Sequence, residues 1–152
     1  MVVSCPVARS SLLFDLFAAN QRVKSLITKA MARSPLQPDE YAVYSGVVEF
    51  GPIAPTDLAD VVGMPPTTLS HYIRRMRETG HLVEQRKPTD GRSRLLTLSA
   101  AGMTAHRAAN RTFEPAYAAF VKRVGDEAAV KAAIAVIESA ARGARAELTA
   151  KG

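Results

Sequence analysis

Residues 55–73 read PTDLADVVGMPPTTLSHYI, and this stretch decides the fold. It predicts two short helices, Pro55 to Val62 and Pro66 to Thr79, with Gly63 between them as a residue that tolerates the positive φ of a turn. Ala59 is small enough to lie where the two helices touch. The spacing of the apolar residues places them on the facing sides of the two helices, where they would form a shared core: Leu58, Val62, Met64, Leu69 and Ile73. This is the helix-turn-helix pattern.

The second helix of the pair carries a polar face opposite its apolar one. Its apolar side chains are Leu69, Ile73 and Met76, and the opposite face presents Thr67, Thr68, His71, Arg74 and Arg75, with Ser70 on a flank. Short hydrogen-bonding side chains come first and cations follow, which suits a helix whose N-terminal end enters the major groove of DNA. Any exposed helix face is polar, however, so this face alone leaves an ordinary solvated surface as the alternative.

A two-stranded hairpin is predicted directly after this helix. Strands from Leu82 to Lys87 and from Arg94 to Leu98 flank a Pro-Thr-Asp-Gly tip, and Asp-Gly is a strong hairpin signal. A hairpin in this position is a wing, whose tip projects beside the helix towards the adjacent minor groove. The order of helix, turn, helix, basic hairpin and helix is far more specific than any one part.

The wing tip, RKPTDGRSR at residues 86–94, combines four cations with one acid. Arg92 is the predicted minor-groove residue, because a narrow A·T-rich groove has an enhanced negative potential that attracts a guanidinium. Asp90 is close enough in sequence to accept a hydrogen bond from Arg92 and limit its rotamers. Arg94 and Lys87 are predicted to lie further down the hairpin and to face phosphates. The alternative is a basic, solvated loop.

The charge distribution supports the same region. The formal net charge is +6 and the sequence pI is near 9.8, which permits nucleic acid, acidic lipid or an acidic protein as partner. Ser34 to Ile73 contains no Lys or Arg, whereas Arg74 to Arg94 contains seven bases and three acids. Such a concentration is expected of a surface that meets phosphates, and the alternative for a charge run by itself is a solvated polar face.

Long helices are predicted on both sides of this region. The first covers residues 10–33, and a second begins at Pro38 and stops at Gly51. Ser99 caps a helix that continues to Val124, with a kink or local break at Pro115, and a last helix follows Gly125-Asp126. Apolar stripes on residues 12–31 and 130–148 are too extensive to remain exposed, so we expect a homodimer. The predicted fold is mainly α with a small β-hairpin wing, as one domain over residues 1–152.

The motifs GPIAPTDLADVVGMPPTTLSHYIRRM (51–76) and GHLVEQRKPTDGRSRLLTLSAAG (80–102) resemble the winged helix-turn-helix of the MarR family of bacterial transcription regulators. The D-x-R tip is close to a family signature, here Asp90, Arg92, Ser93 and Arg94. The resemblance implies a DNA-binding part at 37–102 and dimerisation helices at 10–33 and 103–150. It also implies a homodimeric repressor or activator that a small molecule or oxidant releases from double-stranded DNA.

The sequence departs from the family pattern at three places. Pro65 and Pro66 open the helix from Pro66 to Thr79, which the resemblance implies to be the recognition helix, so a side-chain N-cap is lost. Arg74 stands where many members have an acid, so base preferences do not transfer. Cys5 lies upstream of the first helix, whereas the reactive cysteine of oxidant-sensing members lies near its start. A lone cysteine there is usually incidental, with redox sensing as the alternative.

Tyr41 and Tyr44 are the candidate effector-binding residues. Each offers an apolar body with a polar tip, which suits a small aromatic or phenolic acid between the first two helices and the DNA-binding part. The alternative is that both are ordinary core or rim residues. The same fold could also serve protein or RNA contact without operator specificity.

Other function classes lack support in the sequence. His71, His81 and His106 show no metal-binding spacing, and no Gly-rich phosphate loop or G-x-S-x-G is present, so neither an enzyme nor a metal or cofactor is predicted. One cysteine permits no intrachain disulfide, and no apolar run reaches membrane-spanning length. Together with the lack of a signal peptide, these features predict a cytoplasmic protein without membrane contact.

Overall fold

The computed structural model describes residues 11–150, except for the side chains of Lys87, Asp90 and Arg92. Cys5, and with it the redox hypothesis, lies outside the described residues. The elements in chain order are α1 (Leu12–Ala30), α2 (Pro38–Phe50), α3 (Pro55–Val62), α4 (Pro66–Glu78), β1 (Leu82–Lys87), β2 (Asp90–Leu98), α5 (Ala100–Val124) and α6 (Glu127–Ala150). Within the described range, no helix is both long and apolar enough to cross a membrane.

The chain divides into two compact units, one ending at Glu114 and the other beginning at Pro115. Helix α5 nevertheless runs without interruption from Ala100 to Val124 through Pro115. The structure therefore contradicts a local break at this proline, whereas the alternative of a kink stays a prediction. A proline removes one backbone hydrogen bond, and the remaining bonds of this long helix maintain it on both sides of that position.

The α3–α4 pair has the predicted turn and the predicted core. Gly63 adopts the left-handed conformation (φ 66°, ψ 26°), which a side chain would disfavour. Three buried side chains of α4 face the interior, Leu69, Ile73 and Met76, together with Leu58 of α3. A further close contact lies between α2 and α3, where a Cβ on Gly46 would come within 2.8 Å of Leu58 Cδ1.

The wing is an antiparallel hairpin in which β2 begins earlier than predicted, at Asp90 instead of Arg94. The regular register ends at the Arg86–Arg94 pair and shifts before Lys87, which pairs with Asp90. On its other side, β2 pairs with an isolated residue of the α2–α3 loop, because Leu96 and Ile53 exchange two backbone hydrogen bonds of 2.8 and 3.2 Å. The base of the wing is thus held on both edges of β2.

The start of α5 lies against the residues that directly follow α4. Ser99 Oγ accepts a hydrogen bond from the Gly102 N–H (3.1 Å), which confirms the predicted N-cap, and donates to the Gly80 carbonyl (2.7 Å). A Cβ on Gly102 would lie only 2.3 Å from the His81 carbonyl oxygen, so only glycine permits this approach. Helix α1 begins at Leu12 after Ser11, whose hydroxyl caps it.

Candidate DNA-binding surface and neighbouring cavity

Helix α4 presents its predicted polar face to solvent. The exposed residues include Thr67, Thr68, Ser70, His71, Arg74 and Arg75. No side chain caps the start of α4 after Pro65, as the sequence predicted. Its first turn therefore keeps both its hydroxyl side chains and its helix terminus accessible, and a helix N-terminus favours a nearby phosphate.

Two side chains on this face have partners within α4. The Ser70 hydroxyl donates to the Pro66 carbonyl at 2.8 Å, and Arg74 Nη2 lies 3.2 Å from His71 Nδ1. Both contacts are exposed. Ser70 can still accept a hydrogen bond, and Arg74 retains further guanidinium N–H groups for an incoming phosphate or base.

Arg75 differs from its neighbour Arg74 because it forms an ion pair with another helix. Its Nη2 lies 3.0 Å from Oε1 of Glu40, whose side chain is only 12% exposed. The other oxygen of Glu40 accepts the backbone N–H of Gln37 at 2.9 Å and so caps α2. Tyr72 donates to Asp39 of the same first turn at 3.3 Å. These contacts attach one flank of α4 to the start of α2.

Arg94 of the wing is also ion-paired. Its Nη1 donates to Oε2 of Glu84 at 2.6 Å, and Arg77 of α4 donates through Nε to Oε1 of the same carboxylate at 3.0 Å. The hydrogen bond from Arg94, followed by that from Arg77, lowers the pKa of Glu84 although partial burial opposes the shift. We name Glu84, Arg77 and Arg94 the Glu84 triad. The side chains of Lys87, Asp90 and Arg92 lie outside the described part of the wing.

The two candidate effector residues do not share one site. Tyr44 is buried, and its hydroxyl lies 2.8 Å from His81 Nδ1. Tyr41 instead contacts α5, where it donates to Asn110 Oδ1 at 2.6 Å and stacks on His106 with 5.3 Å between ring centroids. Burial raises the pKa of both tyrosines, so both hydroxyls remain protonated near neutral pH.

A cavity of about 130 Å³ opens beside Tyr44. It lies between the start of α2 and the C-terminal half of α4. Its lining combines apolar groups with hydroxyls, an imidazole, a guanidinium and the carboxylate paired with it: Pro35, Leu36, Glu40, Tyr44, Tyr72, Arg75, Met76, Thr79 and His81. Tyr41 is not among these residues. His81, Tyr72 and Thr79 are neighbours of the cavity that no local sequence pattern marks as such.

Within the described residues, no group of three or more His, Cys, Asp or Glu side chains is placed to hold a metal ion. The Nε2 atom of His106 lies 3.0 Å from the Ser45 hydroxyl oxygen. Burial lowers the pKa of the His106 imidazole.

Solved structures share the architecture over most of the chain. MosR of M. tuberculosis, crystallised in complex with DNA, is 22% identical, with a TM-score of 0.73 over 90% of this chain and 99% of its own. NadR in complex with 4-hydroxyphenylacetate is 18% identical, with a TM-score of 0.75 over 91% of this chain and 98% of its own. MarR of E. coli, in its apo form, is 14% identical, with a TM-score of 0.67 over 87% and 98%.

The chain has the MarR-type winged helix fold. This confirms the predicted fold class, a mainly α chain with a small β-hairpin wing. No protein-family model matches the sequence, and no curated protein matches it. Identities at this level describe the MarR-type fold alone, so the choice of partner rests on the side chains of α4 and the wing.

Proposed function

We propose that this protein is a sequence-specific, double-stranded-DNA-binding transcriptional regulator of the MarR family. The observation that supports this most directly is the exposed face of α4, with hydroxyls near its start and cations further along, followed by a basic wing. A similar fold binds DNA in the MosR complex. Seven of the 20 Lys and Arg residues of the chain fall between residues 74 and 94.

In this proposal, α4 enters the major groove with its N-terminal end. Thr67, Thr68, Ser70 and His71 face base edges, and Arg74 faces a base edge or a phosphate. The wing extends over the neighbouring minor groove, with Arg92 inserted, Asp90 orienting it, and Lys87 and Arg94 nearer the phosphates.

The regulator acts as a homodimer. Helix α1 has no buried residue in the single chain, and Leu12, Leu13 and Phe14 are 69%, 78% and 61% exposed. Helix α6 likewise has none, with Val136 70% and Leu148 75% exposed. Apolar faces of this extent call for a partner, and a second copy supplies one. Two wings related by a two-fold axis would read a pseudo-palindrome with half-sites about 10 bp apart.

Selection of bound duplexes from a randomised pool, followed by binding measurements at several salt concentrations, tests the function. We expect an inverted repeat and a steep loss of affinity as salt rises, because each phosphate contact releases a counterion. Sedimentation at micromolar concentration should give a dimer. Equal competition by mixed-sequence duplex, or preference for RNA over duplex DNA, would favour the alternative of a winged helix without operator specificity.

We propose further that the protein represses transcription and that a small phenolic acid releases it from DNA. NadR, which shares the fold, binds 4-hydroxyphenylacetate. The cavity beside Tyr44 is lined by hydroxyls that suit a phenol and by the Arg75 guanidinium, for which an effector carboxylate would compete with Glu40, whereas Tyr41 lies apart from it against α5.

Screening phenolic acids for loss of operator binding tests this effector role. If the site is the cavity, Tyr44→Phe should change the response to an active compound and Tyr41→Phe should not. The reverse result would move the effector to the α2–α5 contact. No difference between either variant and the wild type would show that neither hydroxyl takes part.

A further inference from the structure

An acidic residue lies on the inward face of the wing. In the hairpin register Glu84 stands directly opposite Leu96, which is 1% exposed, and residues paired across two strands project from the same face. The side chain of Glu84 is itself only 14% exposed. An acid at such a position needs partners, and it has two.

Those partners come from different elements. Arg77 is on α4, the recognition helix, and contacts Oε1 of Glu84 through both Nε and Nη2. Arg94 is on β2 and contacts Oε2 at 2.6 Å. One carboxylate on β1 therefore binds the recognition helix with one oxygen and the second wing strand with the other.

The position of this contact along the hairpin is informative. Arg94 belongs to the last regular pair of the register, Arg86–Arg94, beyond which the pairing shifts. The Glu84 triad therefore contacts the hairpin next to the point where the tip begins, and it links that point to α4. A change in the orientation of the hairpin relative to α4 at this point would displace the whole tip.

The triad contributes little to global stability by itself. The side chains of Arg77 and Arg94 are 56% and 62% exposed, and solvent screening leaves exposed ion pairs with only a small net stabilising effect. Its geometry is more specific than its energy, because a planar guanidinium that contacts a carboxylate through two nitrogens defines an orientation.

We propose that Glu84 is a positioning residue that sets the wing relative to the recognition helix, so that both meet one operator half-site in register. The inference rests on the proposed DNA-binding function. It gives Arg77 a role through Glu84, and it gives Arg94 the same role in addition to the proposed phosphate contact. It also assigns an acidic residue a favourable effect on binding to a polyanion.

The test measures affinity for two duplexes of equal length, one selected by the wild-type protein from a randomised pool and one of mixed sequence. Glu84→Gln removes a negative charge but keeps the side-chain size. We expect affinity for the selected duplex to fall about three- to tenfold, as for other coupled contacts, while affinity for mixed sequence stays equal or rises. Glu78→Gln, at the exposed end of α4, is the matched charge control and should not weaken either complex.

A double-mutant cycle with Arg77→Gln adds a second criterion. If Arg77 acts through Glu84, its replacement should weaken selected-duplex binding in the wild type and have little further effect in the Glu84→Gln background. Equal losses in both backgrounds would instead mark Arg77 as an independent phosphate contact and overturn the proposal. Tighter binding of the selected duplex by Glu84→Gln would overturn it as well.

Amide hydrogen exchange on the free protein separates this inference from the proposed function. Exchange in the hairpin should accelerate in Glu84→Gln and remain unchanged in Glu78→Gln, whereas the melting temperature should differ little between the two. If the wild type binds no duplex selectively, the proposed function fails and the exchange result still decides whether Glu84 holds the wing. Unchanged hairpin exchange would refute the positioning role.

Discussion

Arg74 and Arg75 are adjacent arginines on the recognition helix, yet their contacts predict different effects of replacement by alanine. Arg74 is exposed, and it contacts His71 of its own helix, which is exposed as well. Arg75 instead forms an ion pair with the largely buried Glu40 at 3.0 Å. We expect Arg75→Ala to reduce stability and Arg74→Ala to reduce phosphate binding. The pair is matched in residue type, helix and neighbourhood.

The magnitude follows from the geometry of the ion pair. At 3.0 Å the Coulomb energy is about 1.4 kcal/mol in water and about 5.5 kcal/mol at an effective dielectric constant of 20. The Arg75 side chain is 52% exposed, so screening and side-chain entropy reduce the net contribution to about 1 kcal/mol. For a chain of 152 residues this lowers the melting temperature by about 2–4 °C.

Thermal unfolding followed by circular dichroism, together with the salt dependence of duplex binding, distinguishes the two roles. Arg74→Ala should leave the melting temperature nearly unchanged and reduce the salt slope by about one unit, since one phosphate contact is lost. Arg75→Ala should lower the melting temperature with little change of slope, and Glu40→Gln should resemble it.

The opposite pattern for Arg75→Ala would refute this reasoning. A reduced salt slope with an unchanged melting temperature would show that Arg75 faces a phosphate, as the sequence alone suggested.

Three further predictions concern the wing and the turn. The hydrogen bond from Arg94 is the main cause that lowers the pKa of Glu84 in the folded protein. The ionised Glu84 therefore stabilises the fold above the ordinary glutamate pKa, and this stabilisation is lost as the pH falls through the pKa of Glu84 in the folded state. Urea unfolding from pH 7 to pH 3 should accordingly show a smaller pH dependence in Glu84→Gln than in the wild type. Asp90→Ala should weaken operator binding despite the gain in net charge if Asp90 orients Arg92, and tighter binding would contradict that role. Gly63→Ala should destabilise the protein by about 1 kcal/mol in denaturant titration because φ is 66°, and an unchanged midpoint would show that the turn relaxes.

Local signals explain the part of the fold that the sequence predicted well. The bounds of α3, the turn at Gly63, the buried face of α4 and the Ser99 cap depend on residues within a few positions of one another. The hairpin was predicted as well, but its turn lies at Pro88-Thr89, and the Asp-Gly pair begins β2. Helical period, a positive-φ turn and capping are properties of short segments. For the same reason the exposed face of α4 could be predicted residue by residue.

Contacts between distant segments were not predictable in this way. The pairing of Arg75 with Glu40 joins two helices, and its distance depends on how α4 packs on α2. The bridge between Ile53 and Leu96 joins a loop to a strand far along the chain. Glu84 left a signal that could have been used, an acid at a position where strand alternation expects an inward apolar residue.

The amino-acid sequence by itself determined which segments form the winged helix and which side chains of α4 face solvent, because period, turn and charge are local properties. Only the tertiary structure separated Tyr41 from Tyr44, which are close in sequence on α2. One of them packs against α5, and the other lines a cavity beside α4. Residues three apart on a helix point in directions that differ by roughly 60°, and the neighbouring helices decide what each of them meets.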